Sequence, residues 1–197
     1  NDKGDAWKLA SNVANTITAV LVLLCLLGFF FAPQIVRYIL VPGFSLNDPA
    51  LQLLTVKLLR IQLPSVVIFG LSGLIMGILN ANQHFLLPGL APAMYQLGIM
   101  SGVIFLSKPL GIEGLAIGAL CGSLLHLFVQ LPQILKLKEK QFHFSFGWKD
   151  PKVRNVVRLM IPRQIGASAV QLNFLVNNYI ASYMASGSIS ALSWGLA

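Results

Sequence analysis

The charge that could do the most chemistry in this sequence is Arg163. It follows Pro162 inside a largely apolar stretch, where a charged residue is costly and marks a functional site by default. Two readings are open. The guanidinium could snorkel to lipid headgroups, because only a few residues separate it from Arg158. It could instead face a cavity and grip phosphate through paired N–H groups. Further along, Gln164, Ser168, Gln171, Asn178 and Ser182 fall within about 80° of arc at 100° per residue. Asn173 and Asn177 lie off that stripe, toward the side of Arg163. A polar face on a membrane helix must meet another helix or water. The stripe is therefore either an interhelical hydrogen-bond seam or the wall of a hydrated transport cavity.

Catalytic sets do not assemble. The apolar runs hold no Asp or Glu except Glu113 at the mouth of one of them. No His/Cys cluster has metal-ligand spacing, and no glycine loop is built to cradle phosphate. His126 stands alone in its run and reads as a satisfied or cytoplasm-facing histidine. Cys25 and Cys121 both lie in apolar runs and read as small buried hydrophobes. No metal, catalytic residue or organic cofactor is expected, and an enzyme is the least favoured class.

The elements that carry these residues must be membrane helices. Of 197 residues 56% are hydrophobic and 10% charged, with a mean hydropathy of +0.75. A soluble domain carries about 25% charged residues, so too little surface here could be wetted. Five helices are expected: 13–40, 64–79, 91–106, 112–135 and 156–184, with a sixth beginning at Ile189. The fold class is all-α, a polytopic membrane bundle of five complete transmembrane helices plus the start of a sixth. Residues 41–51 are expected as a loop, followed by a short amphipathic lead-in with Lys57 and Arg60. Gly98 and Gly102, and Gly114, Gly118 and Gly122, recur every four residues, as do small residues where membrane helices approach closely. Gly70, Gly73 and Gly77 form a third set. The runs are too long and continuous for barrel strands.

The net charge of +8 reads as topology and headgroup contact rather than nucleic-acid binding. Basic residues cluster in 1–12 and 136–158, so 1–12, 80–90 and 136–155 are expected inside and 41–60 and 107–113 outside. The chain starts without Met and stops in an apolar stretch, which reads as an internal piece of a longer polytopic protein.

Four stretches in order, FFFAPQIVRYILVPGF, LLRIQLP, GLIMGILNANQHFLLPGLAP and LMIPRQIGASAVQLNFLVNNYIASYMASGSISAL, resemble the MurJ/MviN lipid II flippase family. That family belongs to the multidrug/oligosaccharidyl-lipid/polysaccharide exporter superfamily. The resemblance implies two six-helix bundles facing a central cationic cavity, in the bacterial cytoplasmic membrane. It implies movement of undecaprenyl-linked peptidoglycan precursor, lipid II, from the inner to the outer leaflet. Residues 1–135 would complete the first bundle, 136–155 the cytoplasmic connection, and 156–197 the start of the second. Arg163, Gln164, Ser168, Gln171 and Asn178 would be substrate-binding residues of the cavity. Many relatives carry an acid where Asn177 falls, linked in some to sodium. Asn177 is thus the candidate ion position, and coupling would come from sodium or the membrane potential. Tyr95 stands where the resemblance leads one to expect Asn. The partners implied are lipid II and membrane lipids, with no nucleic acid. Two other functions stay open: a drug or polysaccharide-lipid exporter of the same superfamily, and a membrane scaffold that binds precursor without moving it.

Overall fold

The computed structural model describes residues 2–137, 151–184 and 187–195, and all regular structure among them is helical. The long helices are α1 (Asp2–Ile35), α3 (Pro49–Ala81), α4 (Leu86–Ser101), α6 (Ile112–Phe128) and α8 (Pro151–Ala181). Short helices join them: α2 (Pro42–Asn47), α5 (Ser107–Leu110), α7 (Leu131–Lys136) and α9 (Ser188–Gly195). Two five-residue π turns extend α1 and α4, at Val36–Leu40 and Gly102–Leu106.

Four segments among the described residues are long and apolar enough to cross a membrane: 7–40, 49–81, 86–110 and 112–136. At 1.5 Å per residue α1 and α3 are each about 50 Å long, well beyond the roughly 30 Å hydrocarbon core. Helix α8 has 31 residues, but its Arg, Gln and Asn content keeps it out of that set. Most of the 136–155 connection, residues 138–150, lies outside the described residues.

Several boundaries differ from the sequence expectation. The loop 41–51 contains α2, and the amphipathic lead-in is the first part of α3. The cause is local. Asp48 Oδ1 accepts the backbone N–H groups of Ala50 and Leu51, both at 3.1 Å, and Pro49 opens the helix. That is an N-cap with proline at N1, and α3 then runs on through Pro64. Helix α4 begins before Pro88 because a first-turn proline gives up no helical hydrogen bond. The run 112–135 is interrupted at Val129 and Gln130, just ahead of Pro132. Residues 107–113 hold one helical turn and then Gly111 at φ 59°.

The break between α3 and α4 is a Schellman turn. His84 N–H donates to the Leu79 carbonyl at 2.9 Å, and Gln83 N–H to the Asn80 carbonyl at 3.1 Å. Gln83 takes the left-handed position at φ 61°.

The described residues form two compact units. One comprises Asn1–Leu27 with Ile61–Arg154, the other Gly28–Arg60 with Asn155–Ala197. In the first unit α4 and its π turn pack along α6. Gly98, Gly102, Gly114, Gly118 and Gly122 are all buried there. A Cβ on Gly98 would strike the Gly122 backbone, and one on Gly118 would strike Gly102. The third glycine set behaves differently: Gly70 abuts Leu21, whereas Gly73 and Gly77 face open space. Gln62 Nε2 also ties α3 to α6, donating to the Ala116 carbonyl at 3.3 Å. The core of the second unit is Ala32, Val36, Val41 and Val56, flanked by Leu40, Phe44, Leu59 and Ile189.

Candidate functional site

Helix α8 starts at Pro151, whose missing N–H is no loss in a first turn. It carries Arg163, Gln164, Ser168 and Gln171 on an exposed surface. The Ser168 hydroxyl donates to the Gln164 carbonyl at 2.7 Å, a bond within the helix. Asn177 Nδ2 donates to Asn173 Oδ1 at 2.7 Å, so these two off-stripe amides bond to each other.

At the far end of the helix Ala181 and Ser182 are buried, while Ile180, Tyr183 and Met184 stay exposed. The Ser182 hydroxyl accepts the Gly43 N–H at 3.1 Å and donates to the Tyr179 carbonyl at 2.7 Å. Gly43 is required at this crossing, because a Cβ there would collide with the Ser182 carbonyl. Half-buried Asn178 and buried Ser182 border a cavity of about 610 Å³. Asp48, Ser188 and Ser190 supply further polar groups to its wall, and Val41, Phe44 and Leu51 supply apolar ones. Volumes of several hundred Å³ suit small organic groups. The chemistry offered is an amide, hydroxyls and one carboxylate. It suits a ligand rich in hydroxyls and amides, and among the described residues no Lys or Arg lines it to neutralise a phosphate.

The nominated residues therefore do not form one cluster. Arg163 and Asn178 are fifteen positions apart on one helix, about 22 Å along its axis. The structure brings Asn178 together with Asp48, which the sequence reading passed over. The signal for Asp48 as a helix cap was present in Asn-Asp-Pro before an apolar run. Its place in a cavity depends on residues more than 100 positions away.

The first unit holds a buried polar network around His126 that sequence spacing does not reveal. Ser72 Oγ lies 2.6 Å from His126 Nδ1. Gln130 Nε2 donates to Ser72 Oγ at 2.6 Å and to the His126 carbonyl at 2.9 Å. The Ser72 hydroxyl also donates to the His126 carbonyl at 3.3 Å, and it can accept from both Gln130 Nε2 and a protonated His126 Nδ1. His126 is thus a satisfied histidine between α3 and α6. Phe69 stacks edge-on against both His126 and Tyr95, at centroid separations of 5.3 and 5.1 Å. Tyr95 in turn lies against Gly122, where a Cβ would crowd it. Tyr95 is therefore a packing residue of this seam. Gln130 Oε1 and Thr16 Oγ1 are buried without a partner among the described residues.

Comparison with known proteins fits this architecture. A family model described as lipid II flippase MurJ matches residues 1–197. A protein of Buchnera aphidicola subsp. Acyrthosiphon pisum named "Probable lipid II flippase MurJ" is 33% identical over 182 residues, 91% of this chain and 35% of its own. One of the same name from Bdellovibrio bacteriovorus is 34% identical over 191 residues, 94% of this chain and 36% of its own. The solved structure "Lipid II flippase MurJ, inward closed conformation" superposes with a TM-score of 0.79 at 27% identity, covering 98% of this chain and 39% of that one. The chain thus spans about a third of the length of the relatives it matches. A match along the whole sequence, on an all-helical scaffold of membrane-length helices, places the chain in the MurJ lipid II flippase family.

Proposed function

We propose that this chain works as part of a lipid II flippase of the bacterial cytoplasmic membrane, and is not an enzyme. The observation that carries the reading is the family match over residues 1–197. In this reading α8 is a fifth span whose polar face lines the transport path, and α9 begins a sixth. Residues 1–135 complete the first bundle and 156–197 open the second. The substrate carries a diphosphate, a sugar–peptide head and a polyprenyl tail. The head cannot cross about 30 Å of hydrocarbon unaided. Arg163 would pair with the diphosphate, and the amides of Gln164, Gln171 and Asn178, with the Ser168 hydroxyl, would replace its lost hydration. The tail stays in lipid while the bundles rock about the cavity. Asn177 is the candidate ion position, with a sodium gradient or the membrane potential as the energy source.

Leaflet transfer of labelled lipid II by the full-length protein in proteoliposomes tests this. Transfer of lipid II in preference to a cationic drug supports the reading. Binding without transfer favours a scaffold, and transport of the drug alone favours the exporter branch.

A further inference from the structure

Pro33 lies inside α1 and Pro64 inside α3. Neither has a backbone N–H, so each withholds a hydrogen bond from the carbonyl one turn back. Those carbonyls belong to Phe29 and Arg60. The Arg60 side chain reaches α1, where Nε donates to the Phe29 carbonyl at 3.2 Å. Its guanidinium carbon sits 5.0 Å from the centre of the Phe29 ring, within cation–π range. Arg60 therefore supplies to α1 the donor that Pro33 lacks, from the residue whose own carbonyl faces the second proline.

Two further observations coincide here. The chain passes from one compact unit to the other between Leu27 and Gly28 in α1, and between Arg60 and Ile61 in α3. The crossings fall about one and a half turns before Pro33 and about one turn before Pro64. Just past Pro33, α1 also widens into the π turn Val36–Leu40. Sharp bends in helices arise at prolines and π turns, and hinges are a few residues that absorb the change.

We infer that Pro33 and Pro64 make a two-helix hinge, and that Arg60 is its positioning residue. The Arg60–Phe29 bond steadies α1 at its proline, and breaking it frees the segment 28–60 to move on two proline joints. The hinge stands on geometry alone; its use in a transport cycle rests on the flippase reading above.

The test uses the full-length protein in lipid nanodiscs, in a cysteine-free background. Spin labels go on exposed Leu53 and Phe128, one in each unit, and electron–electron resonance gives their distance distribution. Arg60→Leu is expected to broaden the distribution at least twofold. Adding Pro33→Ala restores an N–H for the Phe29 carbonyl and is expected to narrow it again. An unchanged width in Arg60→Leu, or a double variant as broad as the single one, overturns the hinge. If Arg60→Leu does not fold, the same rescue is read in folded yield, and no recovery on adding Pro33→Ala overturns it equally. Lipid II transfer by the unlabelled parent is measured in parallel. Its absence would sink the flippase reading and leave the distance result standing.

Discussion

Gly98 and Gly122 meet backbone to backbone where α4 crosses α6, with no room for a side chain on either. Gly102 and Gly118 repeat the contact one turn on. Such seams let helices gain dispersion and weak backbone contacts in lipid, where no hydrophobic effect drives them together. Gly98→Val or Gly118→Val should overpack the seam by about 1–3 kcal/mol and lower the thermal midpoint in detergent. Gly73→Ala, in open space, should be neutral or mildly stabilising through helix propensity. Equal midpoints for the two kinds of variant would contradict the seam.

Ser72, His126 and Gln130 act as one unit between α3 and α6. Removing the Ser72 hydroxyl deprives His126 Nδ1 of its hydrogen-bond partner and Gln130 of an acceptor. Ser72→Ala should destabilise the full-length protein by about 1–2 kcal/mol. A double-mutant cycle with Gln130→Leu should show coupling of about 0.5 kcal/mol or more. Strict additivity in thermal unfolding would show that the three residues do not cooperate.

Gln83 occupies the left-handed position of the Schellman turn after α3. Glycine adopts that conformation without steric cost. Gln83→Gly should raise stability by about 1 kcal/mol, read as a higher thermal midpoint with unchanged helical content. A lower midpoint would mean the Gln83 side chain makes a contact that outweighs the strain.

Much of the scaffold was legible because it is local. Apolar run length gave α1, α3, α4 and α6, four-residue glycine spacing gave the α4–α6 seam, and NANQ gave the break before α4. The spacing alone could not separate Gly98 from Gly73, because both recur at helical intervals and only the partner helix decides which is buried. Pro64 looked like a helix start, yet α3 passes through it, since lipid-embedded helices tolerate proline when neighbours satisfy the freed groups. The site was less legible. The polar stripe of α8 was visible by periodicity, but the burial of Ser182 at its far end was not. That burial and the cavity beside it involve Gly43 and Asp48, which lie 139 and 130 positions from Ser182 and Asn178 respectively. The Arg60–Phe29 bond was hidden for the same reason, although the two prolines that call for it stood in plain view.

The exposed length of α8 should be where the precursor headgroup travels, with Arg163 as its phosphate-facing cation. The most direct measurement is lipid II transfer in proteoliposomes by the full-length protein and its Arg163→Ala variant, each first shown to be folded by thermal unfolding. Loss of a charge-assisted contact to phosphate of about 1.5–3 kcal/mol predicts transfer reduced by roughly tenfold or more, with the thermal midpoint unchanged. Transfer at the parent rate by a folded Arg163→Ala protein would contradict the account.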